Sequence, residues 1–215
     1  MILAVGSISA NRVFAGQQQK ALEFDVTLGD KPIGSHRFLI TQDGPRKTVE
    51  SRADFTVRFL RIPVFRYEHQ NNEVWKNGCL HQLDSVTLSN GELTSVHAAA
   101  DAGVMHVDQS DAKIIVPIEG CVMSFAYWYP EFLSQKRLLN PQTGELIAVD
   151  VSPLPLQGAQ SEIDRPGFGY HLNAKDGEID IKVWYDSEDG DWLALESRVE
   201  GGKLIRYRRS NVEKG

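Results

Sequence analysis

Long apolar runs are missing from this chain of 215 residues. No segment after the N-terminus approaches the roughly 18 apolar residues of a membrane-crossing helix, so no integral span is expected. Basic charge is also scarce: 23 Lys and Arg stand against 29 Asp and Glu, a formal net charge of −6. A nucleic-acid partner needs concentrated positive charge, and the short run Arg206, Arg208, Arg209 does not supply it. The bulk composition therefore predicts a soluble chain, or one attached only through its N-terminus.

Catalytic signatures are lacking too. No serine lies in a G-x-S-x-G elbow, and no glycine loop matches a phosphate cradle. The six histidines show no H-E-x-x-H spacing. His97 and His106, with Asp101 and Asp108, face one another across a hairpin at best, a weak metal signal. No metal and no cofactor are expected. The acidic pairs Glu178/Asp180 and Asp186/Glu188/Asp189 read as solvated strand faces or turns.

Only two cysteines are present, Cys79 and Cys121, each after a glycine. In an exported protein an even count favours a disulfide; in a cytosolic one they are two buried thiols. The N-terminus, MILAVGSISANRVFAGQQQ, holds a short apolar run and a small-x-small cleavage pattern ending at Ala15, without a basic n-region. Residues 1–15 thus read as a truncated signal peptide or a flexible tail, and 16–215 as one domain.

What the chain has in plenty is alternation. Leu22, Phe24, Val26 and Leu28 alternate with Glu23, Asp25 and Thr27, the period of a half-buried strand. His36, Phe38 and Ile40 continue it after a turn at Gly29–Pro32. Ala53, Phe55, Val57 and Phe59 face away from Arg52, Asp54, Thr56 and Arg58. The pattern slips at Leu60–Pro63 and resumes at Phe65, Tyr67 and His69, which suggests a bulge or bend. Asn71-Asn72 reads as the next turn. Strand-like runs then recur to the C-terminus between Gly turns at even spacing. The expected fold is all-β: an antiparallel curved sheet forming a barrel or half-barrel, with at most one short helical segment near Tyr129–Lys136. Its inside is lined by Leu22, Phe24, Val26, Phe38, Phe55, Val57, Phe59, Ile181 and Val183.

The densest stretch is GCVMSFAYWYPEFLSQKRLLNPQTG, from Gly120 to Gly144. If it is extended, Tyr127 and Tyr129 share one face and Trp128 takes the other. Gln135, Arg137 and Asn140 follow at the same corner. Aromatics beside Gln, Arg and Asn suit a small hydrophobic or glycan-like ligand; the competing reading is a packed barrel corner. The candidate binding set is Tyr127, Tyr129, Gln135, Arg137, Asn140, His69 and Tyr67, at a rim of the cavity. The leading expectation is a non-catalytic binding protein. The alternatives are an enzyme with His69 or His81 and a tyrosine such as Tyr67 as acid and base, and a structural partner using edge strands. Oligomeric state is not written in the sequence.

IGSHRF, VFRYEHQNNEVWKNGCL, the Gly120–Leu146 segment and VWYDSEDGDWLALESRVEGGKLIRY together resemble a bacterial family of exported β proteins, catalogued as a domain of unknown function. The resemblance runs from about Ala21 to Arg209. It implies a periplasmic or otherwise exported location, a curved antiparallel sheet closing toward a barrel, and no established activity. It also supports pairing Cys79 with Cys121, since both lie in its motif blocks.

Overall fold

The computed structural model describes residues 16–59, 62–109, 112–117, 120–155, 166–174 and 177–210. The N-terminal signal reading (1–15) and the Phe59 side chain lie outside what is described. The first half is a run of hairpins: β1 (Gln18–Leu28), β2 (Lys31–Asp43), β3 (Arg46–Phe59), β4 (Ile62–Lys76), β5 (Cys79–Ser89), β6 (Glu92–Asp101), β7 (Val104–Gln109) and β8 (Ala112–Pro117). An irregular segment follows, with a 3-10 turn at Pro130–Ser134 and a small hairpin, β9 (Arg137–Leu139) and β10 (Leu146–Ala148). A second meander ends the chain: β11 (Asp150–Pro153), β12 (Gly167–Ala174), β13 (Ile179–Asp186), β14 (Trp192–Arg198) and β15 (Leu204–Arg209). A three-residue 3-10 turn, Glu200–Gly202, joins the last two strands.

The meanders fuse because β15 pairs with β1. One antiparallel sheet of 13 strands results, ordered β11 to β15 and then β1 to β8. It does not close: β11 and β8 are its edges. An open sheet this wide curls to bury one face, and the register shifts at Val26/Thr27, Val57/Arg58, Val74/Trp75 and Trp184/Tyr185 sharpen the twist. At the first shift Gly34 has a φ of 154°. A Cβ there would stand 1.8 Å from the Asp54 carbonyl oxygen, so only glycine lets β2 pass β3.

Alternation explains the inner face. Leu22, Phe24, Val26, Phe38, Phe55, Ile181 and Val183 are all buried, and Val57 is half-buried. Each fully buried side chain of this size contributes on the order of 1.5–3 kcal/mol. At the slip two strands meet: Phe59 ending β3 pairs with Ile62 starting β4, and the expected bulge lies just inside, where Val57 pairs with Phe65 but Arg58 with Pro63. One local expectation is corrected: Asn71-Asn72 is no turn. β4 runs straight through it, with Asn71 opposite Ser51 and Ser85, and Asn72 opposite Glu50 and Asp84. The ladder satisfies both backbones, and Asn71 points inward to a carboxylate partner.

The irregular segment lies against the inner face and fills much of it. Met123, Ala126, Phe132, Leu138, Leu139 and Ile147 are at most 6% exposed. The Leu80 amide donates to the Val122 carbonyl at 2.9 Å, and the Tyr185 hydroxyl donates to the Tyr127 carbonyl at 3.0 Å. A Cys79–Cys121 disulfide fixes the start of the segment to β5.

Candidate functional site

The inner face of β4 carries, in order, Trp75, Glu73, Asn71, His69, Tyr67 and Phe65. Trp75, Glu73, Asn71 and His69 are all buried, at most 8% exposed, whereas Tyr67 is half-buried and Phe65 is 37% exposed. One end of the inner face is therefore plugged and the other is open.

At the plugged end Glu73 is fully engaged, while Asn71 Oδ1 is buried without a partner. Glu73 accepts hydrogen bonds from Asn71 Nδ2 (3.0 Å), Trp75 Nε1 (2.8 Å) and Ser124 Oγ (2.8 Å). Burial nevertheless pushes its carboxyl up, outweighing the three donors. The Ser85 hydroxyl donates to the Pro141 carbonyl. These contacts tie the irregular segment to the sheet.

At the open end, β2, β3 and β4 place His36, Ala53 and His69 in one row, the two histidines flanking the alanine. His69 Nδ1 and Thr87 Oγ1 share a 2.8 Å hydrogen bond. Both ring nitrogens of His36 are buried without a partner. Desolvation lowers the His36 pKa to about 3, with His69 adding repulsion, and lowers His69 to about 4. The next row holds Tyr207, Val26, Gly34, Phe55 and Tyr67. Tyr67 stacks on Phe55 with centroids 5.3 Å apart, and Tyr207 lies 5.8 Å from His36. Tyr127 approaches from the irregular segment and is electrostatically coupled to both tyrosines; burial raises all three phenols. Leu28, Val57 and Ile205 complete a half-buried apolar wall.

The structure thus brings together Tyr67, His69 and Tyr127. It does not bring the other sequence candidates to them. Tyr129 stacks on Trp128 (5.4 Å, 20°), meets Trp75, and lies under Lys47 Nζ at 3.9 Å. Trp75 is eight residues from Tyr67 along β4, roughly 26 Å of strand. The opposite-face expectation for Trp128 and Tyr129 fails because this is a turn: the Tyr129 amide donates to the Ala126 carbonyl. Asn140 Oδ1 caps its own loop by accepting from the Gln142 amide. Arg137 is exposed and Gln135 half-buried. His81 contacts Lys76 instead of the inner cluster. His97 pairs with Asp84 at 2.5 Å on the outer face, and His106 is exposed. Among the described residues no group of three or more His, Cys, Asp or Glu is placed to hold a metal. No helix there is long and apolar enough to cross a membrane. His36, Tyr207 and Ala53 were not singled out as site residues; His36 stood in the sequence only as one more inward strand position.

Chemically, burial moves the titratable groups of this end away from neutrality. A general base works best with a pKa near the operating pH. Here the histidines are pushed down to about 3 and about 4 and the tyrosines up, both away from neutrality.

Comparisons with known proteins agree with the fold. The architecture is similar to a crystal structure of a β-barrel-like protein of domain of unknown function DUF1849 from Brucella abortus. That match has a TM-score of 0.61 at 13% identity, covering 88% of this chain and 94% of the other. A comparison with curated proteins finds no match. A family model described as domain of unknown function DUF6134 matches residues 24–210, and with this span of strands and the plugged sheet they build, the chain belongs to that family.

Proposed function

We propose that the protein is a binding protein of the cell envelope, holding an apolar ligand at the open end of its inner face. The observation that carries this is the change along β4: the sheet's own core face reaches solvent at Tyr67 and Phe65, with no covering element among the described residues. A concave, largely aromatic and aliphatic surface with a few inward polar groups is the general form of a small-molecule site. The plugged end serves as its rigid floor. The export part of the reading is supported by the disulfide, which persists in oxidising compartments.

Native mass spectrometry of gently purified protein tests the reading, together with titration by the neutral fluorophore N-phenyl-1-naphthylamine. A co-purified apolar adduct and saturable fluorescence, lost in Phe55→Asp but kept in Arg137→Ala, are expected. No adduct and no saturable binding would overturn it.

A further inference from the structure

We infer that the ligand carries a carboxylate, and that the His36–Ala53–His69 row is its headgroup clamp. This rests on the binding reading above and names the class of ligand: a singly charged carboxylate on an apolar tail.

The row sets two histidines on either side of one alanine. His36 and His69 both pair with Ala53, so their backbones stand two strand spacings apart, roughly 10 Å. Alanine adds only a methyl group at the position between them. Gly34, next to His36 on the same edge, adds no side chain. His36 offers two buried nitrogens with no protein partner, an arrangement that is costly unless something occupies them. His69 is oriented by Thr87, which leaves its Nε2 for another group. A carboxylate has two oxygens and accepts from two N–H donors, one on each side of the alanine. A hydroxyl has one oxygen and satisfies one side only. Phe55 and Tyr67 then continue outward from the row to receive the tail.

The surrounding charges leave this role to the histidines. Across the row on β1 stands Phe24, and beyond it on β15 Arg209, whose guanidinium already donates to Asp191 at 2.8 Å. Tyr67 on β4, Tyr207 on β15 and Tyr127 on the irregular segment are phenols that burial keeps neutral. Glu73, two inward positions along β4, is engaged by three donors. Among the groups just named, an arriving carboxylate therefore meets only a cation that Asp191 already holds. It must stabilise an imidazolium, so binding takes up a proton from solvent. The free histidines are neutral well below pH 6, so affinity rises as pH falls toward 6 and weakens as pH climbs through the value that the histidine takes in the complex.

The test is isothermal titration of the whole protein with dodecanoate, dodecanol and acetate, at pH 6 and pH 8, in two buffers of different ionisation enthalpy. Dodecanoate should bind at least tenfold tighter than dodecanol at pH 6, with uptake of about one proton, and at least fivefold weaker at pH 8. Dodecanol should bind equally at both pH values, and acetate should not bind measurably. Ala53→Leu, which enlarges the side chain between them and keeps both histidines, should remove the preference for the acid; so should His69→Phe. The wild-type pH arm stands on its own if either variant fails to fold. Equal binding of acid and alcohol with no proton uptake overturns the carboxylate clamp and leaves the apolar site. Binding of acetate alone, or of none of the three, overturns the clamp and the apolar-site reading together.

Discussion

Glu73 and His36 face the same interior of the same sheet. Three side chains donate to Glu73, whereas among the described residues no hydrogen-bonding group meets either ring nitrogen of His36. The difference follows the irregular segment. Where Ser124, Phe132 and Leu138 are laid over the sheet, Glu73 has three donors and Asn71 Nδ2 an acceptor, and the one atom left over there among these groups, the buried Asn71 Oδ1, costs about 1–3 kcal/mol. Beyond the segment, the sheet keeps His36 with both ring nitrogens unpartnered among the described residues. A fold tolerates such groups where a ligand or water completes them. On the proposed reading the plugged end carries stability and the open end binding, and experiments that separate the two ends test this division.

The largest effect should come from the plug. Phe132 is 0% exposed and packs edge-on against Tyr127. Phe132→Ala should lower unfolding free energy by about 3–5 kcal/mol in a denaturant titration. Tyr67→Ala, at the open end, should cost less than half as much. Equal losses would erase the distinction. The disulfide comes next. It closes a separation of 42 residues, for which the chain-entropy model gives about 4 kcal/mol as an upper figure. The double variant Cys79→Ser, Cys121→Ser should therefore be destabilised by 2–4 kcal/mol, and limited proteolysis should nick it first within 120–149.

The two ends should also answer pH with opposite sign. His36 and His69 fold with values of about 3 and about 4, below the ordinary 6.5. Their folded state refuses a proton that the unfolded chain accepts. The stability they carry is complete above pH 6.5 and is lost as pH falls toward 3. Between pH 7.5 and pH 5 each should cost about 2 kcal/mol. Glu73 is raised, so its folded form prefers the proton. Its contribution is complete below the ordinary carboxylate range and declines as pH rises through the folded value. His36→Phe should flatten the acid limb of a stability–pH curve, and Glu73→Gln the opposite one. A curve unchanged in His36→Phe would mean that His36 is solvated or partnered in solution.

Much of this was legible in the sequence. Period-two runs such as Leu22–Leu28 have their faces written in them, and the buried residues fall on that face. Gly-containing turns at Gly29, Gly44, Gly91 and Gly190 are where the chain reverses. The irregular segment was not legible in the same way. Tyr127–Trp128–Tyr129 has the composition of a strand, but its hydrogen bonds are those of a turn, and only tertiary packing selects between them. Asn71-Asn72 misleads for a related reason. Asparagine favours turns when its side chain bonds its own backbone, and here Asn71 bonds Glu73 across one inward step instead. The pairing of His36 with His69 needs the register of three strands, which no local pattern holds.

The smallest expected effect is the sharpest test of where the site lies. Tyr129 and Arg137 belong to the aromatic-rich stretch that the composition favours as a binding wall, yet both sit at the plugged end. Tyr129 stacks on Trp128 and lies 3.9 Å beneath Lys47 Nζ, a half-buried cation–π contact worth about 0.5–2 kcal/mol. Arg137 is exposed on the short β9 strand. Tyr129→Ala should therefore lose roughly 1–2 kcal/mol of stability through the stack and the cation. Arg137→Ala should lose less than about 0.5 kcal/mol, as surface changes do. Neither should change the dissociation constant for N-phenyl-1-naphthylamine by more than twofold, because Trp75 and Tyr67 are separated by roughly 26 Å of β4. A tenfold loss of probe affinity in either variant, with the fold intact by circular dichroism, would move the site to the plugged end and make the free nitrogens of His36 a packing defect.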